Sequence, residues 1–298
     1  MDKDRCIGLA LGSGGARGWC HIGVIRALQS HGVEPTLVAG CSMGALVGAA
    51  WAGGQLDALE NWARAMTPTR FVQLVDIRPA SGGIVAAAAI TAMLRDIGLP
   101  EKIEDLPRPF AAVATDMETG REVWLRDGSL VEAVRASIAI PGVISPARVG
   151  NKWLLDGGLT NPVPVSLARA MGAERIIAVN PNAKRGGRLW RAPKPKKPGW
   201  QELMGLLPAS MGAELAEYLE ADPATPPPHY LNVVSTAIDI MTEGIRRSRL
   251  AGDPPDVMLN VALEGLTIMD LHRADEAIKE GHRLAEAEMT RMLERVQE

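Results

Sequence analysis

VAGCSMGALVGAAW, residues 38–51, places Ser42 between Gly40 and Gly44, directly after the strand-like run Thr36-Leu37-Val38-Ala39. A strand that turns sharply into a helix can expose a serine oxygen as a nucleophile, and glycines on either side relieve the crowding at such a turn. A glycine-tolerant core segment has the same composition. In a chain with 31 glycines, the pattern Gly40-Cys41-Ser42-Met43-Gly44 also arises readily by chance. The surrounding sequence therefore decides how the stretch is read.

Working outward, short apolar runs alternate with helical patterns. Cys6–Leu11 reads as a strand, Trp19–His31 as a helix, Thr36–Ala39 as a strand, and Met43–Ala52 and Asp57–Met66 as helices. That alternation predicts parallel β-α-β construction. Phe110–Thr115 and Glu122–Leu125 flank the turn-rich DMETGR and predict a hairpin, followed by a helix from about Leu130 to Ala136. Lys152–Leu155 reads as a strand ending at Asp156, Val165–Met171 as a helix and Arg175–Val179 as a further strand. After a break come a helix around Val233–Arg247, a strand Val257–Val261 and a charged helix from about Asp270.

The break has its own composition. Lys184 to Lys197 contains seven basic residues and no acidic one, together with Trp190 and several prolines, as expected of a solvated, irregular segment. Trp200, Leu203, Met204, Leu207, Met211, Leu215 and Tyr218 follow at roughly helical spacing, interrupted by Pro208, and DPATPPPHY closes the excursion. The expected organisation is one domain, 1–298, carrying an insertion at about 183–230. A basic stretch ahead of a Trp-bearing apolar stripe also suits peripheral contact with an anionic membrane through 184–219, with a solvated linker as the plainer reading.

Composition bounds the function. A length of 298 residues with 47% hydrophobic residues supplies a substantial core, and a formal net charge of −3 argues against a general nucleic-acid binder. Cys6, Cys20 and Cys41 are odd in number and lack metal-ligand spacing, so reduced thiols are expected and no metal or cofactor is implied. The opening MDKDRCIGLALGSGG lacks the apolar core of a signal peptide, and the apolar stretches 36–53 and 84–94 fall short of a membrane span. The expectation is a cytoplasmic protein, soluble or peripheral to a membrane.

GSGGARG, residues 12–18, links the first strand to the first helix, where backbone N–H groups at a helix start can face an anion. Gly12, Gly14 and Gly18 also suit a dinucleotide site. The acidic ribose partner of such a site belongs at the end of the second strand, yet the available Glu34 precedes that strand. RASIAIPGVISP (135–146) and LLDGGLTNPVP (154–164) complete the set. Asp156 at a strand end can project a carboxylate into a crevice and take a proton from a serine, although Asp-Gly turns are common.

Together these motifs resemble the patatin-like phospholipases, and more closely their short bacterial branch. The family's G-G-x-R/K-G loop is matched by Gly14-Gly15-Ala16-Arg17-Gly18, its G-x-S-x-G by residues 40–44 and its D-G-A/G by Asp156-Gly157-Gly158. The stretch around Ser137 and Pro141 and ATDMETGREV (114–123) are also similar. The likeness covers about 6–181 and, more weakly, 231–298, including AIDIM and HRADEA. It implies a three-layer α/β/α patatin-like fold with a mainly parallel central sheet and a serine lipid acyl hydrolase acting on a lipid or ester. Ser42 is then the nucleophile, Asp156 the general base, and the backbone amides of Gly14, Gly15, Ala16 and Arg17 the oxyanion hole. The Arg17 side chain either orients an anionic head group or anchors the loop.

Two other readings stay open. An α/β-hydrolase triad fits the chain order Ser42, Asp156, then His272 or His282, but the sequence has no His-Gly-Gly-Gly motif and both histidines sit among charged residues. A non-catalytic lipid-binding or regulatory protein of the same fold accommodates the insertion equally well, while the intact Ser42, Asp156 and Gly14-Gly15 speak for catalysis.

Overall fold

The structure, a computed structural model, describes residues 6–67, 70, 75–78, 83–85, 87–184 and 230–297. The chain divides into two compact units, Met1–Arg185 with Met241–Glu298, and Gly186–Ile240. Most of the predicted insertion, with its basic run and apolar stripe, lies outside the described residues. Of the second unit, residues 230–240 are described and are helical.

In chain order the elements begin with β1 (Ile7–Leu11), a 3-10 turn (Gly15–Trp19), α1 (Cys20–Ser30), β2 (Leu37–Cys41), α2 (Met43–Ala52) and α3 (Leu56–Arg64). There follow β3 (Val75–Arg78) and β4 (Gly83–Val85), which pair with each other, and α4 (Ala87–Asp96). Next come β5 (Phe110–Asp116), β6 (Glu122–Leu125), α5 (Leu130–Ser137), β7 (Ala147–Val149), β8 (Lys152–Asp156), α6 (Val165–Ala170) and β9 (Arg175–Asn180). The chain closes with α7 (Tyr230–Gly252), β10 (Val257–Asn260) and α8 (Ala274–Gln297).

The main sheet runs β10-β9-β1-β2-β5-β8-β7, with β6 also on β5. The pairings from β10 to β5 are parallel, while β6 and β8 on β5, and β7 on β8, are antiparallel. The strand period of two sorts the side chains into two cores. Leu9, Leu11, Val38, Phe110, Ala112, Ile177 and Val179 pack into one core with α1, α2, α3 and α8. Ala10, Leu37, Ala39, Cys41, Ala111, Val113, Ile176 and Ala178 pack into the other with Val165, Leu167 and Ala168 of α6. Strands buried on both faces read as continuous apolar runs, which is why IGLAL and LVAGC carry no polar alternation. The result is the expected three-layer α/β/α arrangement.

Several local expectations are revised. The glycine loop enters a 3-10 turn before α1, so Trp19 precedes the α-helix. The final helix begins at Ala274, and His272 lies in a separate 3-10 turn, Leu271–Arg273. No element was expected at α4, β3, β4 or β7. The short β3–β4 pair and the three-residue Ala147–Val149 are too brief for a period to show.

Candidate active site

Two strands approach the same point on β5 from opposite directions. Cys41, the last residue of β2, faces Val113, and Asp156, the last residue of β8, faces the next residue, Ala114. The turn after β2 therefore lies against the end of β8. Ser42 occupies that turn with φ 55° and ψ −122°, the one positive φ outside glycine among the described residues. A residue held in so sparsely populated a region is typical of a functional turn. Its flanking glycines are sterically required, since a Cβ on Gly40 would lie 2.4 Å from Ala45 Cα and one on Gly44 would lie 2.1 Å from the Leu11 carbonyl oxygen.

Ser42 Oγ donates to Asp156 Oδ2 at 2.5 Å, and both residues are buried. The other carboxylate oxygen, Oδ1, accepts the Gly158 N–H at 2.7 Å. The Asp156 backbone is fixed by its N–H to the Ala139 carbonyl at 2.9 Å and by Thr115 Oγ1 donating to its carbonyl at 2.9 Å. Burial pushes the Asp156 carboxyl up to about 6, an effect that the bonds from Ser42 and Gly158 partly offset. The site thus holds a carboxylate basic enough to take a proton and ionised near neutrality. Because α2 begins immediately after Ser42, the positive end of its dipole also lies at this serine.

The glycine loop is anchored at several backbone groups. The Gly12 N–H donates to the Val179 carbonyl at 3.0 Å, Ser13 N–H to the Pro162 carbonyl at 2.8 Å, and Asn182 Nδ2 to the Ser13 carbonyl at 2.7 Å. Ala16 N–H donates to the Ile268 carbonyl at 2.9 Å and Arg17 N–H to the Gly14 carbonyl at 3.2 Å. The Ala16 and Arg17 amides, expected in a four-amide oxyanion hole, thus donate to carbonyls within the fold. The Gly14 and Gly15 N–H groups have no acceptor among the described residues. Gly15 sits at φ 53°, and a Cβ there would lie 2.6 Å from the Ile268 carbonyl oxygen. Arg17 is 2% exposed, and its Nε donates to the Gly14 carbonyl at 3.3 Å.

The described histidines, Cys41 and Glu34 have surroundings of their own. His21 is buried, donates from Nε2 to the Gly12 carbonyl at 2.8 Å, and is held neutral by burial, its pKa lowered to about 4. His31 pairs with Glu286 at 2.8 Å, and His282, with a side chain 47% exposed, lies 3.7 Å from the same carboxylate. His229 lies outside the described residues. Cys41 packs in the core, where burial and the nearby Asp156 charge hold its thiol protonated. Glu34, the candidate ribose partner, is exposed ahead of β2. Among the described residues no cluster of side chains suits a metal ion, and no helix is long and apolar enough to cross a membrane.

Sequence reasoning assigned no role to Ser137, whose hydroxyl accepts the Ser42 N–H at 2.8 Å and donates to the Val113 carbonyl at 2.6 Å. Its stretch was noticed, but a serine at a helix end gives no sign of which distant backbone it meets. The same holds for Pro162, Asn182 and Ile268, which grip the loop from three separate segments.

Residues 9–169 match the sequence profile of the family described as Patatin-like phospholipase. An uncharacterized NTE family protein of Mycobacterium tuberculosis is 35% identical over 323 residues, covering 94% of this chain and 90% of that protein. Patatin-like phospholipase domain-containing protein 6 of Homo sapiens is 34% identical over 181 residues, 58% of this chain and 13% of that protein. Neuropathy target esterase sws of Drosophila melanogaster is 33% identical over a stretch of the same length and coverage.

Proposed function

Because this chain belongs to the patatin-like phospholipase family, we propose that it is a serine lipid acyl hydrolase that cleaves carboxylic esters with a Ser42–Asp156 dyad. The observation that carries the reading is the 2.5 Å hydrogen bond from Ser42 Oγ to Asp156 Oδ2, made at a strained turn with no histidine among the described residues bonded to either group.

In the proposed cycle Asp156 accepts the hydroxyl proton as Ser42 Oγ attacks the acyl carbonyl carbon. The oxygen of that carbonyl becomes an oxyanion, stabilised by the Gly14 and Gly15 N–H groups and by the positive end of α2. Collapse breaks the ester bond, the departing alcohol takes the proton from Asp156, and the acyl group remains on Ser42. Water then gives a proton to Asp156 and attacks the acyl carbon. The carboxylic acid leaves, and the proton returns to Ser42 Oγ. A raised Asp156 pKa suits a base that must both accept and return this proton.

Contact with an anionic membrane is proposed for 184–219, on the sequence grounds of seven basic residues followed by an apolar stripe. The reaction is tested by intact-mass analysis after exposure to a fluorophosphonate, then by turnover on p-nitrophenyl esters and a panel of lysophospholipids, phospholipids and monoglycerides. A single adduct on Ser42 with turnover of at least one ester is expected. A chain that forms no adduct is not a serine hydrolase.

A further inference from the structure

We propose that Ser137 is a positioning residue for the nucleophile, its hydroxyl replacing a rung of the β2–β5 ladder and so setting where the Ser42 backbone turns toward Asp156. The inference rests on the hydrolase reading given above.

The register shows the replaced rung. Val38 N–H donates to the Pro109 carbonyl at 3.0 Å, and the parallel pairing continues unbroken from Val38 opposite Phe110 to Cys41 opposite Val113. Rungs of a parallel ladder recur every two residues, so continuing it carries the Gly40 N–H onto the Ala111 carbonyl and the Ser42 N–H onto the Val113 carbonyl. The last rung is not made directly. The Ser42 N–H instead donates to Ser137 Oγ at 2.8 Å, and Ser137 Oγ–H donates to the Val113 carbonyl at 2.6 Å. One hydroxyl is spliced between the two backbone groups that the ladder would have joined. Both groups are satisfied, and the turn stands off β5 by the width of an oxygen.

The same short segment also holds the other partner. Two residues beyond Ser137, the Ala139 carbonyl accepts the Asp156 N–H at 2.9 Å. Ser42 and Asp156 come from different elements, yet the backbone of each is pinned to 137–139, so this segment gauges the distance between them. Its placement is local in origin, since Ser129 Oγ caps α5 by accepting the Glu132 N–H at 3.3 Å and the helix ends at Ser137. Ser137 is fully buried. Without the hydroxyl, either Ser42 N–H and Val113 C=O lose their partner, or the rung closes directly and draws Ser42 toward β5, away from its present alignment. Each outcome impairs proton transfer and attack.

The test uses the full chain and its Ser137→Ala variant, reading kcat and KM on p-nitrophenyl butyrate, the rate of fluorophosphonate labelling at Ser42 and the thermal melt. In a folded variant, kcat and the labelling rate are expected to fall about 10- to 100-fold, as misplacement of a reacting group by about 1 Å does. KM should stay within about twofold, because the loss is confined to the chemical step. Parental labelling and kcat, or a loss carried by KM alone, overturn the inference. If Ser137→Ala fails to fold, Ser137→Cys takes its place, keeping the side-chain volume but offering only a weak donor and acceptor. The same fall is expected of it, and parental rates again overturn the idea. A parent that is not labelled at Ser42 overturns the hydrolase reading and this inference with it, whereas a labelled parent with an unimpaired variant overturns this inference alone.

Discussion

Ser42 and Asp156 are separated by 114 residues, yet their side chains meet at 2.5 Å because the ends of β2 and β8 oppose consecutive residues of β5. Neither strand end alone makes a site. Ser42 and Asp156 are joined by sheet register, so changes that keep the register should separate chemistry from folding.

Ser42→Ala and Asp156→Asn should each abolish ester hydrolysis, since Asn keeps the shape of Asp156 but cannot take the serine proton. His272→Ala and His282→Ala, alone or together, should stay within a few-fold of the parent, whereas removing a triad histidine costs several orders of magnitude in kcat. His282 already lies beside Glu286 on an exposed helix face. Collapse of activity in a folded histidine variant would restore the triad.

Activity should fall on the acid side with a midpoint near the Asp156 pKa of about 6, because the base must be ionised. The sign for stability is opposite to that of an ordinary salt-bridged aspartate. With the folded value raised above 3.8, the unfolded chain ionises first, so stability drops as pH rises from about 3.8 to 6, and the full cost persists above that window. Asp156→Asn should therefore be inactive yet more stable than the parent at pH 8, by something on the order of 1–3 kcal/mol. Denaturant melts at pH 5 and pH 8 check this, and equal or lower stability at pH 8 would contradict it.

Gly15→Ala should lower kcat by about 10²–10³-fold, the scale of losing one oxyanion donor. The added methyl meets the Ile268 carbonyl at a positive φ, so the loop must shift and carry the Gly14 and Gly15 amides with it. The measurement is kcat at a temperature well below the variant's melt. Near-parental turnover would remove these amides from the mechanism.

Deleting 184–219 should weaken sedimentation with liposomes of anionic lipid, and the parent's binding should itself fade as salt rises. Each basic residue near such a surface contributes roughly 1 kcal/mol. Equal binding by the parent and the deleted chain would exclude the segment as a membrane contact.

Much of this protein is legible in its sequence because the deciding signals are local. Continuous apolar runs such as IGLAL mark strands buried on both faces, and glycine at 40 and 44 marks a turn into which no side chain fits. The order of GGARG, GCSMG and DGG marks the family. Which loop amides remain unbonded was not legible, because Ala16 and Arg17 carry the same N–H group as Gly14 and Gly15. Only the folded chain brings Ile268 onto Ala16 and commits that amide. Ser137 is a stronger case still. Its chemistry is plain in the sequence, but its function depends on the β2–β5 register, the end of α5 and the turn at Ser42 coinciding in space. A residue type determines what bonds a group can make, and tertiary packing decides which of them are already taken.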